Sequence, residues 1–342
     1  MVAAHHLTPP RVRESDLVRL LFGSPFLEGE YKAVPPDDIQ KYRDDQPRDD
    51  HGRWSGMGGG DRGLAAKFAD MPISHGGGYM YYDMVNPTPS AKQWCEAHAD
   101  DYKNDRDFRL AACGIVRFTG GEYDQIRQAS LLNAGVEHRT GASRQETGWS
   151  EAELRTRYPD MDGRAAVEMG LKQEDYPGAH SAVDEARAMQ NAIAGAKDDS
   201  PTLYRGGWVT EGKVLGAPTP QQPDTWTPPE VGSAFNMVGL SSFTSDPDVA
   251  RRFSTGMDEG QEFWGEDKPP AISYVYEVEA GARSLPAAAL SIFDQSEYIT
   301  SGQFEVMGVD HQTFQHQTGN DTFVPLERYT IHVRQVAVWV LK

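Results

Sequence analysis

Hydrophobic spacing changes character twice along the chain. Through residues 1–85 apolar positions are sparse, and charge, proline and glycine dominate stretches such as KAVPPDDIQKYRDDQPRDDHGRWSGMGGGDRG. So little apolar surface does not offset the entropy of ordering the backbone, which predicts a poorly ordered region. The runs Gly58–Gly60 and Gly76–Gly78 read as flexible joints, and LVRLLFG, from Leu17 to Gly23, as a short docking helix. From about Pro87 apolar residues recur three and four apart. SAKQWCEAHADDYKNDRDFRLAACGIVRF therefore reads as helix, ended by Gly120 and Gly121. Tyr123, Ile126, Leu131 and Leu132 continue on a second helical face. Residues 137–176 are polar with patchy periodicity, which predicts an inserted helical segment or a long loop. HSAVDEARAMQNAIAGA carries Ala182, Ala186, Met189 and Ile193 at helical spacing, with Gly195 as its stop.

Beyond Asp199 the period shortens to two. TLYRGGWV, GLSSFT, AISYVYEVE, LSIFDQSEYITSGQFEVMGVD and YTIHVRQVAVWVL read as strand-bearing segments, with a proline-rich loop over residues 216–230 and a helix beginning at DPDVARRF. Helices precede strands, so the expected class is α+β rather than repeated βαβ units. The expected organisation is a linker-like region over 1–85 and one folded domain over 86–342, with an insertion near 137–176.

Composition narrows the chemistry. The 342 residues carry 33 basic and 51 acidic side chains, a formal charge of −18. That balance argues against duplex DNA, which needs a basic face. Mean hydropathy is −0.60, consistent with partial disorder. The two cysteines, Cys95 and Cys113, form neither a disulfide framework nor a zinc-ligand spacing. No apolar run approaches a membrane span, and MVAAHHLTPPRVRESD lacks the apolar centre of a signal peptide. The chain reads as cytosolic at synthesis, with delivery to a target cell or packaging in a virion left open.

Three short stretches carry candidate chemistry. Arg205 ends an apolar strand and is followed by Gly206 and Gly207. A guanidinium there suits a phosphate, since it donates in a planar fork, and glycine lets a ligand approach the backbone. Ser241, Ser242, Thr244 and Ser245 form a hydroxyl row before Asp246-Pro247 starts a helix. By strand alternation Ser242 and Thr244 share a face. The third stretch holds Gln-x-Glu twice, as Gln295-Ser296-Glu297 and Gln303-Phe304-Glu305. Each alone has a plain structural reading: a sheet-edge arginine, a capped helix, a solvated strand.

Their order does not. LYRG at 203–206, SFTSDPDVARRF at 242–253 and QSEYITSGQFEV at 295–306 resemble the Arg-Ser-Glu class of NAD-using, toxin-like mono-ADP-ribosyltransferases. IVRFTGGEYDQIRQAS resembles that class's YTGxxYxxIN helix, and the likeness spans roughly residues 90–342 outside the insertion. Two departures stand out: Ser242-Phe243-Thr244 replaces Ser-Thr-Ser, and Arg127 replaces the usual asparagine. Counting back from DPDVA makes Ser242 the partner serine, with Ser245 the alternative. The resemblance implies a two-sheet β core of the ADP-ribosyltransferase type preceded by helices. It implies NAD as substrate with no metal, bound against Arg205, Gly206, Ser242, Thr244 and Phe253.

The class's catalytic glutamate precedes a few apolar residues, a tight glycine turn and an F-x-V strand. Here Tyr298-Ile299, Ser301-Gly302 and Phe304/Val306 fit that pattern, which implies that Gln295 and Glu297 form the site. Gln303 and Glu305 are then expected on the solvated face of the next strand. Glu297 would stabilise the positive charge that develops as the nicotinamide–ribose bond breaks. Ser242 would hold that carboxylate, and Arg205 would anchor the NAD phosphates. Gln295 would meet the acceptor, with Phe293 on the turn that touches it. Class members with Glu-x-Glu generally modify arginine. An amide cannot pair with a guanidinium as a carboxylate does, so Gln295 implies another acceptor on a macromolecule. The acidic charge leans to protein, and a nucleobase stays open.

Two other readings use the same residues differently. Water as acceptor would make the chain an NAD glycohydrolase. A non-enzymatic phage virion or head-associated protein is suggested by QPRDDHGRWSGMGGG, residues 46–60, which could equally mark a phage-encoded transferase. No GxGxxG follows a strand ahead of a helix, and no GxxxxGK[ST] occurs, so neither supports another nucleotide site. Asp310, His311 and His316 read as a polar loop, and Trp208 and Trp226 as core or loop cover.

Overall fold

The computed structural model describes residues 63–73, 89–120, 123–134, 180–210, 213–215, 226–255, 272–291, 295–317 and 323–338. The segment Leu17–Gly23, both glycine runs, residues 46–60 and the 137–176 insertion lie outside the described residues.

Helices come first. α1 (Pro89–Ala97), α2 (Ala99–Asn104), α3 (Arg106–Thr119), α4 (Tyr123–Asn133) and α5 (Ala182–Gly195) form a layer. The single helix expected over 90–118 is three. Asp105 leaves helical geometry, and its carboxylate accepts from the backbone N–H groups of Asp107 and Phe108 at 2.9 and 3.1 Å. An aspartate that satisfies those orphan donors starts a new helix rather than continuing the old one. Ser181 caps α5 in the same way, accepting from Asp184 N at 3.2 Å.

Residues 63–73 also depart from the expectation of a poorly ordered region. A 3-10 turn at Leu64–Lys67 delivers Phe68, which is fully buried, against Phe108 with ring centroids 4.8 Å apart. Lys67 Nζ donates to Asp101 and Asp105 at 2.7 and 2.9 Å. Phe68 and Met71 supply the buried apolar surface that averaging over a charged region hides.

Inside the layer, Arg117 of α3 and Glu185 of α5 pair at 2.8 Å with 5% and 0% of their side chains exposed. Arg117 also donates to Gln125 of α4 at 2.9 Å. Removing one partner of such a pair strands a buried charge and costs about 3–5 kcal/mol. The pair thus fixes how α3, α4 and α5 sit together.

The strands are β1 (Leu203–Thr210), β2 (Lys213–Leu215), β3 (Ala234–Thr244), β4 (Ile272–Val278), β5 (Leu285–Pro286), β6 (Glu297–Gln317) and β7 (Phe323–Ala337), with helix α6 (Pro247–Phe253) after β3. The α+β class stands. The strands do not fall into two separate sheets: hydrogen bonding links all seven in the order β2-β1-β3-β6-β7-β4, with β5 on β6. β1 also pairs with β4 over seven positions, from Leu203↔Val278 to Val209↔Ile272, but among the described residues its ladder with β3 is the one pair Tyr204↔Thr244. The sheet therefore curls back on itself and closes through one residue pair. Inside the curl lies a core of Phe243, Tyr274, Tyr276, Phe304 and Ile331. Its other face, through Leu240, Leu285 and Ile299, joins the helical core.

β6 runs unbroken for 21 residues, so Ser301-Gly302 is not a turn. Gly302 has φ +146°, and a Cβ there would lie 2.1 Å from the Ala337 carbonyl oxygen of β7. The glycine is needed for close strand approach, a use that reads the same as a turn in sequence. Asp310 and His311 likewise lie within β6 rather than in a loop.

Candidate active site

The single β1–β3 pair sets the site. Continuing its register would place Gly206 opposite Ser242. Instead β1 turns away after Tyr204, and helix α6 sits against Gly206. A Cβ at 206 would meet the Ala250 carbonyl oxygen at 2.0 Å and Ser254 N at 2.7 Å. Gly206 thus makes room for a helix. The Asp246 carboxylate caps that helix through Asp248 N at 2.9 Å, and Pro247 occupies its first turn. Arg205, beside the divergence, donates from Nη1 to the Ser242 carbonyl at 2.6 Å, and its guanidinium carbon lies 5.9 Å from the Phe243 ring centroid.

Ser242 faces the other way with its side chain. Its Oγ donates to Glu297 Oε1 at 2.5 Å. The second carboxylate oxygen, Oε2, accepts from Ser291 Oγ at 2.9 Å. Glu297 opens β6 opposite Thr244 and is 5% exposed. Burial lifts its carboxyl above the ordinary glutamate range. The Ser242 and Ser291 hydroxyls and the Arg205 charge pull against that rise without cancelling it. The three residues expected to converge are joined: guanidinium to Ser242 carbonyl, Ser242 hydroxyl to Glu297.

Gln295 is held through its backbone. Thr244 Oγ1 donates to the Gln295 carbonyl at 2.6 Å, and Ser245 N donates to the Ser296 carbonyl at 3.1 Å. Ser296 has φ +49°, a left-handed conformation that is uncommon for residues other than glycine. Two tethers to the end of β3 hold this turn in place. Thr244 is buried in that structural task, and Ser245 lies beside it rather than against the carboxylate. Phe253 is half-buried at the end of α6. Phe293 lies outside the described residues.

The second Gln-x-Glu is elsewhere. Glu305 pairs with Arg334 across the β6–β7 ladder at 2.8 Å. Further along, His332 hydrogen-bonds Asp310 at 3.0 Å, and Trp226 stacks on buried Tyr274 with centroids 5.3 Å apart. Among the described residues, no group of three His, Cys, Asp or Glu is arranged to hold a metal, and no helix is long and apolar enough to cross a membrane.

Two contacts have no counterpart in the sequence motifs. Ser291 follows a buried 3-10 turn at Ala288–Leu290, and no motif spacing marks it. Arg127 of α4 donates to the Leu240 carbonyl at 2.9 Å and to Ser241 Oγ at 3.0 Å, while Leu240 N donates to Ser130 Oγ at 2.9 Å. These bonds satisfy an irregularity in β3, where register shifts between Met237 and Ser241. Helix α4 therefore pins the strand immediately before Ser242. In the sequence Arg127 stands out only as a departure from a family pattern.

No protein-family profile matches the chain, and no curated protein matches it. Among solved structures it is similar to the Vis toxin, an ADP-ribosyltransferase from Vibrio splendidus, at 14% identity and TM-score 0.33, covering 74% of this chain and 87% of that one. It is similar to the ADP-ribosyltransferase HopU1 of Pseudomonas syringae pv. Tomato DC3000 at 12% identity and TM-score 0.31, covering 70% and 81%. A third is an ADP-ribosyltransferase from Clostridium botulinum, at 14% identity and TM-score 0.29, covering 71% and 94%. These overlaps are loose, and the chemistry of the site follows from its own side chains.

Proposed function

We propose that the chain is a mono-ADP-ribosyltransferase that takes NAD as substrate, releases nicotinamide and places ADP-ribose on a macromolecular acceptor other than arginine. The observation that carries this reading is the bonded chain from Arg205 through Ser242 to Glu297. It brings one cation, one hydroxyl and one buried carboxylate together from three neighbouring strands that are distant in sequence.

Each has a distinct task. Arg205 offers a fixed positive group to the diphosphate of NAD. The C1′–N bond to nicotinamide then breaks, and its electron pair leaves with the now neutral nicotinamide. Positive charge develops on C1′ and the ring oxygen. Ionised Glu297, held by Ser242, stabilises that charge from a site little exposed to water, where a fixed charge acts strongly. An acceptor nucleophile attacks C1′, forms the new bond and gives up its proton to solvent water. Gln295, on its tethered turn, presents an amide that exchanges two hydrogen bonds with another amide or a base edge. The protein's net charge of −18 favours a protein acceptor over a nucleic acid.

Incubation with NAD labelled in the ADP-ribose moiety tests the reading. Nicotinamide release together with a labelled macromolecule supports it. Release without label assigns water as acceptor, and absence of release rejects an NAD-cleaving site. Mass spectrometry of labelled lysate identifies the acceptor atom and separates protein from nucleobase.

A further inference from the structure

The Ser242 hydroxyl accounts for one oxygen of the Glu297 carboxylate. The other is taken by Ser291 Oγ at 2.9 Å, and Ser291 is fully buried. We infer that Ser291 is a second positioning residue, which holds Glu297 ionised and fixes its carboxylate plane from the side opposite Ser242.

Local construction supports this role. β5 pairs antiparallel with the start of β6 through Leu285↔Ile299 and Pro286↔Tyr298. Ala287 N donates to the Glu297 carbonyl at 2.9 Å, so the ladder extends to the glutamate itself. The 3-10 turn Ala288–Leu290 follows, wholly buried, and brings the chain round to Ser291. Helix α3 braces that turn through Thr119, whose Oγ1 lies 3.5 Å from the Leu290 carbonyl oxygen. The hydroxyl is thus carried on a braced segment whose backbone is also bonded to Glu297.

One hydroxyl leaves a carboxylate free to turn about its terminal bond, whose rotamer well is broad. Two hydroxyls on different oxygens, carried by different elements, define its plane. Each is a donor that favours the charged form, against the burial that favours the neutral one. Among the described residues, the charged group acting on Glu297 is the Arg205 guanidinium.

The catalytic consequence rests on the transferase reading, but the effect on the carboxyl does not. Titration of Glu297 by 13C NMR of the full chain, labelled at glutamate, therefore tests the inference alone, with Glu297→Gln assigning the signal. Ser291→Ala is expected to raise the midpoint by about one pH unit, a tenfold change in the proton-binding constant. Ser242→Ala is expected to raise it comparably. Ser291→Cys, close in size and a weak donor, is expected to fall between and serves if the alanine variant unfolds. If wild type releases nicotinamide, the acid limb of its pH–rate profile should move with the same variants, and kcat should fall more than KM rises. An unchanged midpoint in folded Ser291→Ala or Ser291→Cys overturns the inference even if the enzyme is active. A shifted midpoint with no nicotinamide release keeps the Ser291–Glu297 coupling and rejects only the transferase.

Discussion

Ser242 Oγ donates to Glu297 Oε1 at 2.5 Å across 55 residues of sequence, while Glu305, eight residues beyond Glu297 in the same strand, is bound to Arg334. Two glutamates in equivalent Gln-x-Glu settings thus occupy unlike environments. One is buried on hydroxyls, and the other forms a half-exposed ion pair.

Glu297→Gln is therefore expected to lower nicotinamide release by on the order of 10²–10³ or more, the scale of losing one preorganised electrostatic stabiliser. Glu305→Gln removes a surface pair of about 0–1 kcal/mol and is expected to stay active. Rates measured beside thermal melting curves check both. Equal loss in the two variants would mean that the wrong pair has been assigned to the site.

The raised pKa of Glu297 has a readable sign. Its folded value lies above the unfolded one, so ionisation costs stability, and that cost enters as pH rises from the unfolded value through the folded one. The proposed mechanism uses the ionised form. The rate is expected to fall on the acid side with a midpoint above that of an ordinary glutamate, near 4.3. Over the same window stability against urea gains from this group as pH falls, although other carboxylates also contribute. A pH–rate profile whose acid limb lies no higher than that of an ordinary glutamate would contradict a buried carboxylate as the working group.

Gln295 offers a separate handle. Its backbone is tied to Thr244, so shortening the side chain leaves the turn anchored. Gln295→Ala is expected to reduce transfer to the acceptor more than hydrolysis of NAD by water. Both are measured in one reaction as labelled acceptor and free ADP-ribose. A parallel fall would remove Gln295 from acceptor recognition.

Much of this was visible in the chain because local chemistry and pattern agree. Gly195 at the end of α5, and Asp246 with Pro247 at the start of α6, mark real helix ends. Glu297 is preferred over Glu305 on the residues after it; the structure sets Glu297 on two hydroxyls and Glu305 on Arg334, but Ser301-Gly302 is strand and not the turn that reading used. What escaped the sequence was set by contacts between distant segments. Ser291 lies in no spacing that announces chemistry, and Arg127 is marked only as a departure from the helix pattern; the contacts of both are set by the fold. Two glycines share one cause. Gly206 and Gly302 are small because backbone from another element comes close, at Ala250 and Ala337, and a lone glycine does not say which neighbour needs the space.

That reading of Gly206 makes the sharpest structural prediction. An alanine methyl there would lie 2.0 Å from the Ala250 carbonyl oxygen and 2.7 Å from Ser254 N, both backbone atoms of helix α6 and its end. No rotamer relieves such a clash, so either α6 lifts from β1 or β1 shifts relative to β4. Overpacking of this kind costs about 1–3 kcal/mol, to be read from urea unfolding. Because Arg205 is the adjacent residue and reaches Ser242 from this strand, the same displacement moves the guanidinium. The KM for NAD should therefore rise along with the loss of stability. Gly63→Ala, where an added Cβ meets nothing within 4 Å, serves as the control. If Gly206→Ala melts like wild type and keeps its KM, the close packing of α6 on β1 is wrong, and with it the account of why Arg205 sits where the two strands part.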